Sequence, residues 1–369
     1  MRLVLAGGGT GGHLVPGTAL ARAVLERGGS VLFVTAGRPL EAQLVGELPF
    51  VVLPLEDGRG APTKRQLLWR VPRSCAKARG ILREFAPDAV LGLGGLASFP
   101  VALAARSLGI PVSLLEINAV PGRATRCLAP LAQQVLTAAD SAAQAIGRKA
   151  VCCGAPLRPG FRKLPQKSAA RAALGLDPGR LTCLVLGGSQ GASAVNEAVG
   201  FVLPQLAERG AQLLWIAGPG KEAAVRARCE EHPALGALVR GYLDDMPTAF
   251  AASDLAICRS GAATVFELAA AALPSITIPY PHHADRQQFH NARLLGEGTV
   301  ILEEKELGRD RLAAELGALL DDPARRQRMA EACRRAARLD AVEKSLEAME
   351  RLRQPRTRAT PRTLPAASA

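Results

Sequence analysis

Short apolar runs alternate with helical stretches along this chain. Leu3-Val4-Leu5-Ala6 is followed by glycines, a helical pattern from about Pro16 to Arg27, and a second run, Val31-Leu32-Phe33-Val34. Strand, glycine turn, helix and strand in that order predict a βαβ unit on a parallel sheet. The signal returns further on. Leu184-Val185-Leu186 leads into Gly187-Gly188-Ser189-Gln190-Gly191, a helical stretch to about Arg209, and Leu213-Leu214-Trp215-Ile216. Asp88-Ala89-Val90-Leu91 and Asp254-Leu255-Ala256-Ile257 form a second matched pair, 166 residues apart, and the strand-opening prolines Pro111 and Pro274 lie 163 apart. The repetition predicts an α/β protein of two Rossmann-like parallel-sheet domains facing each other across a cleft. The expected divisions are an N-terminal domain 1–157, a proline-rich linker 158–166 and a C-terminal domain 167–340. A helix at 341–353 is expected to return to the N-terminal domain. The Pro/Thr/Ala-rich tail 354–369 is expected to be disordered.

A length of 369 residues suits two domains, and 48% hydrophobic with 21% charged residues is a globular profile. The eight cysteines are scattered without a C-x-x-C pair, so neither a zinc ribbon nor a disulfide framework is read, and a reducing compartment is expected. Met1-Arg2 runs straight into an apolar strand, so no secretory signal is expected before the fold. The longest nearly uncharged stretch, 261–281, contains Glu267 and Pro274 and is a poor membrane span. A net charge of +13 raises nucleic acid and anionic lipid as partners, but arginine supplies 38 of the 46 basic residues, as coding bias alone can produce. With aromatics at 4% and no finger, zipper or RNA-stacking motif, no nucleic-acid partner is expected.

The glycine loops point to phosphate. Gly7, Gly9 and Gly12 satisfy G-x-G-x-x-G, but the strand that should end in a ribose-holding carboxylate closes with Val34-Thr35-Ala36-Gly37, and the next acid is Glu41. His13-Leu14 stand where a Walker loop needs Lys-Ser/Thr. Both nucleotide-cofactor readings therefore fail at their discriminating residue. Backbone N–H groups approaching an anion at a helix N-terminus remain, alongside the plainer reading of a strand-to-helix turn. Glu267 follows Arg259-Ser260-Gly261-Ala262-Ala263-Thr264 within the first turns of a helix, where a carboxylate either complements the helix dipole or accepts a ribose diol. His282-His283-Ala284-Asp285-Arg286-Gln287-Gln288 sits just past a strand, on the ligand side of this architecture. Histidines at 282, 283 and 290 do not share a face, and D-x-D is absent, so no metal site is expected.

Four motifs in order, Gly8-Gly9-Thr10-Gly11-Gly12-His13 with Pro16, Gly187 to Gly191, Arg259-Ser260-Gly261-Ala262 to Glu267, and Asp285-Arg286-Gln287-Gln288, resemble those of the MurG family. These are the UDP-N-acetylglucosamine:undecaprenyl-pyrophosphoryl-N-acetylmuramyl-pentapeptide N-acetylglucosaminyltransferases of glycosyltransferase family 28. The resemblance runs from residue 2 to about 350 and implies the GT-B fold, no cofactor and conversion of lipid I to lipid II in peptidoglycan synthesis. It implies that Glu267 takes the ribose hydroxyls, Ala262, Ala263 and Thr264 the phosphate, and the Leu243 backbone the uracil. Gln287 and Gln288 would read the sugar, Ser189 would reach the diphosphate, and Arg158 and Asn118 would lie near the donor. Thr10, Gly11 and Gly12 complete the expected UDP-N-acetylglucosamine set. The chain departs from the family pattern at Leu115-Glu116-Ile117, where His-Glu-Gln is usual, at Leu96 of Gly94-Gly95-Leu96, and at Ala155.

An inverting transfer needs a base at the acceptor hydroxyl. His13 is the first candidate and Glu116 the second; an anion-ligand or capping role stays open for His13. The partners implied are UDP-N-acetylglucosamine, lipid I, an anionic membrane surface, and cell-wall synthesis and division proteins, at the cytoplasmic face of the bacterial membrane. Another GT-B transferase with a glycolipid acceptor and a UDP-sugar 2-epimerase remain the alternatives. The stretch 58–83 has no acid, and its basic residues alternate with apolar ones including Trp69 and Leu82, continuing to Phe85. It is read as a membrane-facing patch of two short helices broken at Pro72.

Overall fold

A computed structural model describes residues 1–8, 11–55, 63–187, 192–307 and 309–353. The first half contributes strands β1 (Arg2–Gly7), β2 (Ser30–Thr35), β3 (Phe50–Val52), β4 (Ala89–Gly94), β5 (Val112–Glu116), β6 (Gln134–Thr137) and β7 (Ala150–Cys152). The second contributes β8 (Thr182–Leu186), β9 (Gln212–Ile216), β10 (Ala237–Arg240), β11 (Leu255–Cys258), β12 (Ser275–Thr277) and β13 (Thr299–Ile301). They form two sheets in the orders β3-β2-β1-β4-β5-β6-β7 and β10-β9-β8-β11-β12-β13. The paired strands run parallel, in the Rossmann order, and each order reverses beside its first strand, where this architecture opens its ligand crevice. This is the two-domain GT-B arrangement.

The repeated aspartates and prolines have a shared structural reason. Asp88 accepts a hydrogen bond from the Arg2 amide and Asp254 accepts one from the Thr182 amide, each at 2.7 Å. Each carboxylate pins the strand after it to the start of its domain's first strand. The carbonyls of Pro111 and Pro274 then accept from Val90 and Ala256, at 2.8 and 2.9 Å. A proline needs no amide of its own there, because its carbonyl makes the ladder bond.

Strand alternation builds the layers. Leu3 and Leu5 face a cluster containing Leu14 and Leu20 of the helix Gly11–Glu26 and Leu346 and Met349 of the last helix, Ala341–Arg353. Val4 and Ala6 face the opposite cluster, with Leu82 of the helix Lys64–Phe85 and Val101 of the helix Ser98–Ser107. In the second sheet Cys183 and Val185 point one way and Leu184 and Leu186 the other. Ala262 and Phe266, on the helix Ala262–Ala271, join the first domain's cluster, so apolar packing holds the halves together at the cleft floor.

Two prolines behave differently from the sequence reading. The helix expected from Pro16 begins at Gly11, with Pro16 inside it. Pro16 is the sixth helical residue, so it removes the bond to the Gly12 carbonyl, a cost outweighed by the packing of Leu14 and Leu20 in the core. Lys64–Phe85 is one 22-residue helix through Pro72, not two. A Thr63–Gln66 capping box starts it, and Ala78 and Leu82 anchor it in the core, which outweighs one missing bond. Leu82 is fully buried, and Phe85 packs against the same cluster with the Arg2 guanidinium 4.8 Å from its ring. Neither is membrane-facing, whereas Trp69 is 71% exposed. The stretch expected to be helical up to Arg209 divides into Ser193–Gly200 and Leu203–Glu208, with Pro204 opening the second piece. The tail 354–369 lies outside the described residues.

Candidate active site

Two cavities meet at Gly12 in the cleft between the sheets. The larger, about 820 Å³, is lined by His13, Glu116, Asn118, Arg123, Arg126 and Gln287 among others, and so by both domains. The smaller, about 140 Å³, is lined by Arg158, Leu243, Ala263, Thr264 and Glu267 with Gly12. Most of the site residues expected from the sequence therefore gather in one of two adjoining spaces. Thr10 and Ser189 lie outside the described residues, and Gly11 begins the helix leading to His13.

Glycine is required where the first-domain loops touch. Gly94 and Gly95 have φ of +102° and +75°. A β-carbon at Gly95 would sit 2.4 Å from the Gly8 carbonyl oxygen, and one at Gly94 would sit 3.0 Å from the His13 ring. The Gly94-Gly95 turn is thus the wall on which His13 rests. The His13 Nδ1 donates to the Gly8 carbonyl at 3.2 Å. A carbonyl can only accept, so Nδ1 carries the proton and Nε2 is the basic nitrogen. Burial lowers the His13 pKa below its usual 6.5, although Glu116 and the Gly8 bond oppose the shift.

Glu116 ends β5 and is buried. One carboxylate oxygen accepts from the Asn118 amide at 3.0 Å and its Nδ2 at 2.8 Å. The other accepts from the Gly122 amide at 2.8 Å and the Thr125 hydroxyl at 2.6 Å. Four donors occupy it, so its geometry is that of a group shaping the loop 116–125. Asn118 is thereby fixed with its Oδ1 outward, where it accepts from Asn291 Nδ2 at 3.1 Å, and Asn291 Oδ1 accepts from the Ala119 amide at 2.8 Å. Asn291, buried on the helix Gln287–Ala292, joins the two domains here and was missed by the sequence reading. Only a contact spanning 173 positions reveals it.

Glu267 points into the smaller cavity from the helix Ala262–Ala271, whose first turn offers the amides of Ala263 and Thr264. Burial raises its pKa from 4.5 to about 7, with Arg158 opposing. The Arg158 Nη1 donates to the Asp244 carbonyl at 3.4 Å, next to Leu243. Tyr242, Met246 and Ile216 complete an apolar wall that the sequence reading did not assign. Gln287 reaches the larger cavity, its Nε2 standing 3.5 Å from where a β-carbon on Gly122 would lie. Gln288 instead accepts from the Tyr280 amide at 3.0 Å. Ala262 is buried against the first domain, so only its backbone is offered. Glu41 closes the dinucleotide reading: one oxygen accepts from the amides of Ala36, Gly37 and Arg38 at 2.8–3.1 Å, and the other lies against Gly8.

Known proteins resemble this chain over nearly its whole length. The glycosyltransferase family 28 N-terminal domain matches residues 3–137, and the family 28 C-terminal domain matches 182–346. A UDP-N-acetylglucosamine–N-acetylmuramyl-(pentapeptide) pyrophosphoryl-undecaprenol N-acetylglucosamine transferase of Carboxydothermus hydrogenoformans is 36% identical, covering 97% of this chain and 99% of its own. The Magnetococcus marinus protein of that name is 40% identical over 92% and 94%. The crystal structure of Acinetobacter baumannii MurG superposes with a TM-score of 0.74 at 25% identity, covering 95% of this chain and 99% of that one. A UDP-GlcNAc 2-epimerase from Neisseria meningitidis, bound to UDP-GlcNAc, has a TM-score of 0.69 over 95% and 100% of the chains, but at 13% identity it shares the fold alone. With both family 28 domains present and relatives of this identity over nearly the whole length, the chain belongs to the MurG family of glycosyltransferase family 28.

Proposed function

We propose that this enzyme transfers N-acetylglucosamine from UDP-N-acetylglucosamine to the muramyl 4-hydroxyl of lipid I, giving β-1,4-linked lipid II with inversion. The observation that carries the reading is the pair of cavities sharing Gly12, one lined by Glu267, Arg158 and a helix N-terminus and the other, larger one lined by both domains. In the smaller, Glu267 accepts the ribose diol, Leu243 and its neighbours hold the uracil, and the Ala263 and Thr264 amides with Arg158 meet the diphosphate. In the larger, Asn118 and Gln287 flank the transferred sugar. The muramyl oxygen attacks C1 as its proton passes to His13 Nε2, and the C1–O bond to the diphosphate breaks with its electron pair leaving on UDP. Charge on that leaving group is met by the helix N-terminus and Arg158, donors held in place before the reaction begins. Glu116 is better read as the residue that orients Asn118 than as the base, because both its oxygens are occupied.

A lipid-linked acceptor has to be collected at a surface. Among the described residues no helix is long and apolar enough to cross a membrane. Exposed Trp69, with exposed Arg65 and Arg73 on the same helix, supports a peripheral contact with anionic lipid at the cytoplasmic face. The test is UDP release measured with lipid I, with diacylglycerol and without acceptor. Release dependent on lipid I supports the reading. Equal release with diacylglycerol would point to another glycolipid transferase, and loss of UDP-N-acetylglucosamine with no acceptor to the epimerase.

A further inference from the structure

We infer that Arg123 and Arg126 form the subsite for the diphosphate of the acceptor, a reading that rests on the function proposed above. Both arginines line the larger cavity, lie three residues apart on the helix Arg123–Leu128, and are exposed. Among the described residues neither side chain makes a hydrogen bond or an ion pair. Of the other arginines near the cleft, Arg259 pairs with Glu304 and Arg286 with Glu303, while Arg158 lines the smaller cavity. The backbone beneath the pair is fixed, because one Glu116 oxygen holds both Gly122 and Thr125. Two guanidinium groups thus project from a rigid platform into a large space with their donors unspent.

The chemistry of the acceptor says what would use them. Its reacting hydroxyl is at C4 of the muramyl ring and its diphosphate at C1, the opposite end of the same ring. With the hydroxyl at His13, the diphosphate lies one sugar ring away within the same cavity. The acids lining that cavity are Glu116, already holding four donors, and Asp285, so a diphosphate meets the arginine pair there. Guanidinium groups bind phosphate oxygens in bidentate fashion. The helix also packs on Ser98–Ser107, which packs on Lys64–Phe85, the helix that carries Trp69. The arginine pair and the proposed membrane contact thus belong to the same domain.

The test uses the full-length enzyme with a water-soluble short-chain lipid I analogue for the kinetics and, separately, phosphatidylglycerol vesicles for binding, with Arg123→Gln, Arg126→Gln and the double variant. Each single change should raise the acceptor KM roughly 10-fold, and the double change more, with KM for UDP-N-acetylglucosamine and kcat nearly unchanged. Arg126→Lys should recover part of the loss, because charge returns without the fork. An unchanged acceptor KM in the double variant overturns the inference. So does loss of binding to phosphatidylglycerol vesicles with the soluble-acceptor KM intact, which would make the pair a headgroup contact. If the parent transfers nothing to the analogue, the functional reading falls and the subsite falls with it.

Discussion

Asn291 and Asn118, 173 positions apart, are joined across the cleft: the Asn291 Nδ2 donates to the Asn118 Oδ1 at 3.1 Å. Asn118 cannot present its amide nitrogen instead, because that nitrogen donates to Glu116 at 2.8 Å. The pair therefore has one polarity. It ties the loop after β5 to the helix carrying Gln287, so both sides of the larger cavity are held in one frame.

Replacing Asn291 by aspartate sets oxygen against oxygen at this contact, and alanine leaves the buried Ala119 amide unpaired. A buried polar group left unsatisfied costs about 1–3 kcal/mol, so Asn291→Ala should lose about that much stability, and kcat should fall because the loop after β5 is no longer tied across the cleft. UDP affinity by calorimetry should stay within about 3-fold, since the nucleotide cavity does not include this residue. A parallel loss of UDP binding would show that the contact supports the whole domain instead.

Glu267 should give donor binding a pH dependence. Its carboxyl must be ionised to accept both ribose hydroxyls, and in the free protein it titrates at about 7. UDP affinity should thus rise as pH increases through that value and then level off. Glu267→Gln should lower the plateau roughly 10- to 100-fold and flatten the step. The effect on folding has the opposite sign. A carboxyl raised from 4.5 to about 7 adds stability below its unfolded pKa, and that stability is lost as pH rises through about 7. Melting temperatures of parent and Glu267→Gln across that window check this independently of ligand.

His13 is predicted to carry the acceptor proton. Its pKa lies below the usual 6.5 in the free protein, so kcat/KM should rise only on the acidic side of that value and be flat at neutral pH. His13→Ala should reduce kcat by roughly 10²–10⁴-fold with UDP affinity preserved. Near parental turnover in the alanine variant would remove His13 from the mechanism.

Trp69 and Leu82 share a helix and should fail differently. Trp69→Ser should reduce salt-sensitive cosedimentation with phosphatidylglycerol vesicles while the fold and UDP binding persist. Leu82→Ser opens the core and should cost about 2–5 kcal/mol of stability. Equal cosedimentation of folded Trp69→Ser and parent would place the membrane contact elsewhere.

The double domain was legible because its markers repeat. Asp88 and Asp254, and Pro111 and Pro274, serve one bonding pattern used twice. That Ala263, Thr264 and Glu267 share one cavity was legible through a local motif, since a helix N-terminus and a carboxylate one turn later are neighbours in sequence and in space. Three features were not. Pro72 was read as a break because the rule weighs one missing bond, whereas Ala78 and Leu82 keep the helix whole. Leu82 and Trp69 look alike in a basic apolar stretch until the sheet decides which face is inward. Asn291 and the four donors on Glu116 depend on tertiary contacts that no spacing encodes.

The measurement that tests the central claim most directly is incubation of the enzyme with UDP-N-acetylglucosamine labelled in the sugar, with and without a lipid I analogue, followed by product analysis. Label should appear in a β-1,4-linked disaccharide on the lipid, with one UDP released per sugar transferred and unchanged nucleotide sugar when the acceptor is omitted. Conversion of the nucleotide sugar without acceptor, or no label reaching the lipid, would contradict that claim.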